Sequence, residues 1–346
     1  MNQGFRTQRD APLRGRNTFG VTAHAPLWIE VTTPEALAGV LTWPEVRDEP
    51  FLVIGGGSNI LFAGDPQGAV ISLRARDIRI VEQSDQHAVV RADAGVRWHD
   101  LVQWTLRQGL NGLENLVLIP GTAGAAPIQN IGAYGTEAGE FVHAVESMDP
   151  ATGRVRRFRQ AECDFAYRDS RFKREAGRHL IVALELRLSW RPRLRLNYAG
   201  IAQALEAAGI DSPSAQDVAD AIAGIRRAKL PDPERLGNAG SFFKNPIVPT
   251  AVAEALQERF PDLPVFAANR PEQRKLSAAW LIDACGWKGH RTGDAGIADS
   301  HALVLVNHGQ ASGAELLDLA RRVADSVQQR FDVMLEPELR VIGAVW

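Results

Sequence analysis

Sixteen consecutive residues, PGTAGAAPIQNIGAYG at 120–135, are drawn mostly from Gly, Ala, Pro, Asn and Gln, with one tyrosine near the end. The run follows neither the 3.6-residue nor the 2-residue apolar period of a core element. Pro120, Gly121 and Gly124 tighten the backbone, Ala125 and Ala126 keep it slim, and Gln129 and Asn130 offer amide groups to a flat heteroaromatic ligand. An ordinary glycine-rich surface loop carries charged or serine-rich filler between its glycines, and this run has none. A second stretch, GGGSN at 55–59, reads either as a turn after a strand or as another backbone cradle for a phosphate-bearing ligand. Neither stretch satisfies GxGxxG, and no GxxxxGK followed by Ser or Thr occurs, so the common dinucleotide fingerprint and the P-loop lose their main support.

The rest of the chain must position these loops. It has 346 residues, 45% hydrophobic and 23% charged, which is ordinary globular material with length for two or three domains. A net charge of -2 argues against a mainly electrostatic nucleic-acid binder, and the arginines of RVRRFR at 154–159 read as a solvated strand face. Two distant cysteines, Cys163 and Cys285, indicate neither a disulfide framework nor a zinc site, so no metal is expected and a reducing cytoplasm fits. No run approaches the ~18 apolar residues of a membrane span, so no membrane association is expected either.

Strand and helix patterns alternate, which predicts an α+β architecture. Residues 51–54, AVISL at 69–73 and HAVVRADAGV at 87–96 read as strands, and Trp98, Leu101, Val102, Thr105 and Leu106 share one face of a helix stopped by Gly109. A hairpin with its turn at DPATG is expected within 142–158, followed by a long strand in HLIVALELRLSW. From Ala199 to Lys229 the pattern is Ala-rich and helical, ended by LPDPE, and a domain boundary is placed near 191–215. The last helix starts at Ser312 with Glu315 three residues on, a capping box, and repeats apolar residues at Leu316, Leu319, Val323, Val327 and Phe331.

Seven stretches, in order, carry a resemblance. NTFG (17–20), GGGSN, GLENLVLIPGTAGAAPIQNIGAYG (112–135), YRDSRFK (167–173), KLPDP (229–233), GNAGSFFKNP (237–246) and LEPELR (335–340) together resemble the UDP-N-acetylenolpyruvoylglucosamine reductase family. The resemblance implies two α+β subdomains clasping FAD, as in vanillyl-alcohol-oxidase (PCMH-type) flavoproteins, and a C-terminal α+β domain covering the substrate. On that scheme residues 1–16 are a flexible leader, 17–195 bind FAD and 196–346 bind substrate, with the last strand returning Glu336 to the flavin. The implied reaction is NADPH-dependent reduction of UDP-N-acetylglucosamine enolpyruvate to UDP-N-acetylmuramate, a peptidoglycan precursor, through non-covalently bound FAD in a cytoplasmic monomer.

The resemblance also implies roles. Arg168 grips the enolate-like carboxylate, because a guanidinium fork matches it with two parallel hydrogen bonds. Ser241 gives the proton to the α-carbon and Glu336 assists polarisation or proton delivery. FAD is implied to contact Gly55, Gly56, Gly57, Ser58, Asn59, Pro120, Gly121, Thr122, Gly124, Ala125, Ala126, Gln129, Asn130, Ile131, Gly132, Ala133, Tyr134, Gly135 and Ile181, and the sugar nucleotide Tyr198, Lys229 and Asn245. LRLNYAG at 194–200 looks like the extra loop, carrying Tyr198, of one branch of the family. Family members often carry a hydroxyl where this chain has Ala125 or Ala126, so backbone N–H groups there would meet the phosphates instead. A flavin oxidase of the same broad fold and a non-catalytic nucleotide-sugar module are the competing readings. The first lacks a histidine in either glycine stretch for covalent attachment, and the second leaves Arg168, Ser241 and Glu336 unexplained together.

Overall fold

Val, Ile and Leu dominate the run Ala69–Leu73, which is buried on both faces in the manner of a central parallel strand. It pairs in parallel with His24–Val31 on one side and Phe51–Ile54 on the other. A fourth strand, Phe5–Pro12, completes the sheet on the outside of His24–Val31. In this computed structural model residues 4–198 and 200–346 are described, so Ala199 of LRLNYAG and the first three residues of the expected leader lie outside them. The expectation of a flexible leader is corrected for Phe5–Pro12, whose largely polar sequence makes an edge strand.

The second large sheet is antiparallel, in the order Val155–Arg159, Val142–Met148, Leu180–Ser189, His87–Asp93, Ile78–Gln83. The expected hairpin is present, with Ala144 opposite Arg159 and Met148 opposite Val155. Only Phe158 of the arginine-rich strand points inward, while Arg157 reaches across to Glu185 through bonds of 2.9 and 2.5 Å. Against the sheet lies the helix Trp98–Arg107, whose Trp98, Leu101, Val102 and Thr105 are all buried, and Gly109 turns the chain with φ 78°.

The segment expected to open the C-terminal domain instead completes this one. Residues 200–229 hold two helices, Ile201–Ala207 and Ala215–Lys229, separated where Gly209 takes φ 70° and Pro213 follows. Their apolar stripes, Ile201, Leu205, Val218, Ala219, Ile222 and Ala223, join the core that holds Trp98 and Leu184. The chain accordingly divides into two compact units, one of residues up to 11, 25–56 and 67–228, the other of 12–24, 57–66 and 229–346. That division falls at 228/229 rather than near 195, and neither unit is contiguous in sequence.

The second unit is built from short pieces. Ile247–Pro249, Gln273–Leu276 and Val265–Ala267 form one antiparallel sheet; Arg291–Thr292, Ala295–Ile297 and Leu305–Asn307 form another. Arg340–Ile342 pairs in parallel with Ile60–Phe62. The helix Gly313–Phe331 carries the expected capping box and buries Leu316, Leu319, Val323, Val327 and Phe331. Phe331 meets Phe260 edge to face at 5.0 Å.

Candidate functional site

In the first unit Gly55 and Gly56, the start of GGGSN, meet the run 120–135. A Cβ on Gly55 would stand 2.5 Å from the Thr122 hydroxyl oxygen, and one on Gly56 would stand 3.4 Å from the Gly121 Cα, so this wall is bare backbone. The turn expected to offer N–H groups at Ala125 and Ala126 uses them itself. Both donate to the Thr122 carbonyl, at 3.0 and 3.1 Å, while Ala123 donates to Val96 and Gly124 to Ala94. The N–H groups of Gly56, Gly121 and Thr122 and the Thr122 hydroxyl have no protein acceptor among the described residues. Three donors and a hydroxyl on a wall without side-chain bulk suit the phosphates of a dinucleotide cofactor, and in this respect the residues present fit FAD.

The far half of the run turns inward. Ala126, Asn130 and Ile131 are buried, as is Ile181, which lies in the core strand Leu180–Ser189. Asn130 was expected to face a ligand, yet its amide is consumed by the protein. It donates to Glu137 Oε2 at 2.8 Å and to the Ala166 carbonyl at 3.0 Å, and accepts from the Gly139 N–H at 2.8 Å. Asn130 and Tyr134 both adopt positive φ, 45° and 50°, which bends the run back on itself. Tyr134 stacks edge to face on the half-exposed Tyr198, with ring centroids 5.1 Å apart.

Arg168 is presented by a tight turn. Ala166 and Asp169 exchange both backbone hydrogen bonds, 3.0 and 3.1 Å, leaving Tyr167 and Arg168 at the tip. Arg168 takes φ 53° at the third turn position, where Gly or Asn is usual. Such a conformation costs roughly 1–3 kcal/mol and persists only where the surroundings impose it. Here Lys173 Nζ donates to the Arg168 carbonyl at 2.9 Å, the Ser170 hydroxyl donates to the Ile128 carbonyl at 2.6 Å, and Arg174 pairs with Asp164 and Asp169. The Arg168 guanidinium donates from Nη2 to the Gly132 carbonyl at 2.7 Å; a Cβ on Gly132 would come 2.9 Å from its Nη1.

Comparison with known proteins bears on this arrangement directly. Residues 25–159 match the family model described as an FAD binding domain, and residues 232–342 match UDP-N-acetylenolpyruvoylglucosamine reductase, C-terminal domain. A UDP-N-acetylenolpyruvoylglucosamine reductase of Xylella fastidiosa (strain 9a5c) is 56% identical over 337 residues, 97% of this chain and 96% of the relative. The chain belongs to the UDP-N-acetylenolpyruvoylglucosamine reductase family. A reductase of that name from Xanthomonas campestris pv. campestris (strain 8004) is 57% identical over 97% of this chain and 96% of its own length. The crystal structure of the Thermus caldophilus family member is similar with a TM-score of 0.67 at 27% identity, covering 97% of this chain and 99% of the other. The α+β class is the expected one.

In this reductase-family chain the expected Gly57, Ser58, Asn59, Lys229, Ser241, Asn245 and Glu336 lie in the second unit, while Pro120, Gln129, Ala133 and Gly135 lie in the first. Ser241 begins a segment anchored by the fully buried Phe242 and Phe243, which bridges Val304 on one side and Pro337 on the other. Glu336 is thereby set beside the same segment: its carbonyl accepts from the Lys244 N–H at 3.0 Å and its carboxylate meets Lys244 Nζ at 2.9 Å. The Asn245 side chain accepts from the Ala278 N–H at 2.9 Å, at the start of the helix Ala278–Ala284, and Lys229 is exposed. Gly57 accepts from Thr18, and Asn59 exchanges contacts with the last strand, its carbonyl accepting from the Arg340 N–H at 3.1 Å.

Two residues beside these sites escaped the sequence reading. Lys244, inside SFFKN, is the partner of Glu336. Arg226 lies four residues after Ile222, on the apolar stripe of Ala215–Lys229, and a charge on that stripe was the available signal. Burial holds its guanidinium below the ordinary value, with Tyr134 opposing, and burial likewise pushes the Tyr134 hydroxyl up. Among the described residues no group of His, Cys, Asp and Glu could hold a metal ion, and no helix is long and apolar enough to cross a membrane.

Proposed function

We propose that this chain reduces UDP-N-acetylglucosamine enolpyruvate to UDP-N-acetylmuramate, with FAD held non-covalently and NADPH as co-substrate. The observation that carries the reading is the strained Arg168 turn, fastened to the middle of the glycine loop at Gly132, in a chain of this family. Bound FAD would pass a hydride from NADPH to the terminal carbon of the enolpyruvyl ether. Charge then develops on the α-carbon and its carboxylate, and a positioned, permanently charged donor fork is the group that stabilises it. Arg168 fills that role, since guanidinium keeps its proton at physiological pH and matches a carboxylate in plane.

Protonation of the α-carbon completes the addition of one hydride and one proton across the double bond. Ser241 is the donor in this reading and Glu336, tethered by Lys244, assists polarisation or proton delivery. Lys229, Asn245 and Tyr198 orient the nucleotide. Gly56, Gly121 and Thr122 offer cofactor phosphates their backbone and hydroxyl donors on a wall that Gly55 keeps slim, Gly57, Ser58 and Asn59 are further proposed FAD contacts, and the residues of 120–135 other than Asn130 serve the remainder of the cofactor. The domain roles follow: the first unit binds FAD and the second binds substrate, with the boundary moved to 228/229. A monomer in the cytoplasm belongs to the same proposal, supported for the compartment by two free cysteines.

Stopped-flow absorbance on the two half-reactions tests it. NADPH should bleach the flavin and the enolpyruvyl sugar nucleotide should restore it. Ser241→Ala should leave bleaching intact and slow restoration by about 10²–10⁴-fold, the range of positioned acid catalysis. Ser241→Cys should regain part of the loss, since a thiol with an ordinary pKa near ~8.5 is the better acid. Equal slowing of both halves by alanine would remove Ser241 from proton transfer.

A further inference from the structure

The side chain of Asn130 is fully engaged with three separate pieces of the first unit: Glu137 in the return strand, Gly139 in the turn that follows, and Ala166 at the base of the Arg168 turn. The Ala166 carbonyl receives both the Asp169 N–H, which closes the turn, and the Asn130 amide. Its own φ of 45° lets the side chain aim inward, and asparagine is among the few residues that tolerate that conformation. Arg168 returns the link from the other side, through its bond to Gly132, two residues beyond Asn130. The glycine loop and the arginine turn are thus cross-tied from both sides, by Asn130 of the loop and by Arg168 of the turn.

We infer that Asn130 is a positioning residue for Arg168: it fixes the strained 166–169 turn to the loop 120–135 and so sets where the guanidinium fork stands, without itself touching cofactor or substrate. This rests on the proposed function for the consequence in turnover, though not for the clamp. Removing the amide takes away one tie between turn and loop and leaves the Arg168–Gly132 and Ser170–Ile128 bonds in place. A guanidinium misplaced by an ångström or so loses the near-attack alignment on which positioned catalysis depends, with losses of about 10²-fold in comparable cases.

The decisive variant is Asn130→Gly, which keeps the positive φ available and deletes the side chain with its amide. Two measurements are needed. Hydrogen exchange on the FAD-loaded protein should accelerate tenfold or more in the peptide spanning 164–171, where the Ala166 and Asp169 N–H groups each donate to the other residue's carbonyl, while the strands Leu180–Ser189 and His87–Asp93 stay protected. Unaltered exchange in 164–171 overturns the clamp, and so does a loss of protection across the whole unit. In stopped flow, reoxidation by the enolpyruvyl nucleotide should fall by about 10–10²-fold and flavin reduction by NADPH by less than about threefold.

A double-mutant cycle separates positioning from general damage. If Asn130 acts through Arg168, then Asn130→Gly added to Arg168→Lys should slow reoxidation by less than about twofold further, because the fork it positions is already gone. Additive losses, or equal slowing of both half-reactions, overturn the assignment. Should the enolpyruvyl nucleotide fail to reoxidise the wild-type flavin, the proposed function falls while the exchange measurement still judges the clamp.

Discussion

Asparagines in this chain act as clasps more than as ligands. Asn17 binds the Leu13 and Val21 carbonyls and the Val21 N–H, and Asn238 binds the Pro231 and Leu236 carbonyls and the Gly240 N–H just ahead of Ser241. Each sits inside a stretch whose motif is visible in the sequence, and composition alone cannot say whether an amide points at a ligand or at its own backbone. That is why Asn130 reads as a contact in the sequence and is a clamp in the fold. Arg168 was legible by type, but its strain is not, since φ follows from the bonds of Lys173, Ser170 and Asn130. The cysteines allow a direct check at this scale. Cys163 is fully buried and its thiol is pushed up to about 12, first by burial and then by Glu162, whereas Cys285 is half-buried. Titration of the native protein with a thiol-specific disulfide reagent at pH 8 should therefore label Cys285 and not Cys163 until denaturant is added. Two rapid equivalents in the native state would contradict the burial of Cys163.

Elements with strong periodicity were readable in advance. The strands Phe51–Ile54 and Ala69–Leu73 fall where their short apolar runs end in Gly or Arg, and Trp98–Arg107 ends two residues before the glycine stop at 109. The helix Gly313–Phe331 is the clearest case, because cap and stripe agree. Its Ser312 hydroxyl accepts from the Glu315 N–H at 3.2 Å, and the Glu315 carboxylate accepts from the Ser312 N–H at 2.8 Å. Ser312→Ala should cost about 1 kcal/mol, lowering the midpoint of calorimetric unfolding by a few degrees, and Ser312→Asp should restore most of it. What the sequence hid is tertiary. Phe5–Pro12 has no hydrophobic run, and only a neighbouring strand gives it a place. The pair Ile201–Ala207 and Ala215–Lys229 looks like the start of a new domain because composition changes there, yet its apolar stripe is matched by the core around Trp98.

Across the whole molecule, three histidines are kept below the ordinary imidazole value of 6.5, each chiefly by burial: His99, His143 and His301. Two of them use Nδ1 as an acceptor, His99 from the Leu118 N–H and His301 from the Leu303 N–H, which requires that nitrogen to be unprotonated. The unfolded chain takes up protons below pH ~6.5 that the fold resists, so stability should fall as pH drops from about 7 toward 5 and be unaffected by these groups above about 7.5. Urea melts of wild type and of a His99→Gln/His143→Gln/His301→Gln variant check this, the variant showing the flatter slope in that window. Glu185, held below the ordinary carboxylate value first by its bonds from Arg157, yields its contribution only at lower pH, as it is protonated. The interleaving of the two units bears on how the protein is made. The chain crosses between them after residues 11, 24, 56, 66 and 228. On the ribosome, the first unit has all its residues once 228 has emerged, while the segments 12–24 and 57–66 wait unpaired for a C-terminal partner still being translated. Ile60–Phe62 is the parallel neighbour of Arg340–Ile342, so the second unit closes only once that late strand has been made. A gene fragment starting at 229 lacks that neighbour altogether, so the second unit cannot be cut out of this gene as one contiguous cassette.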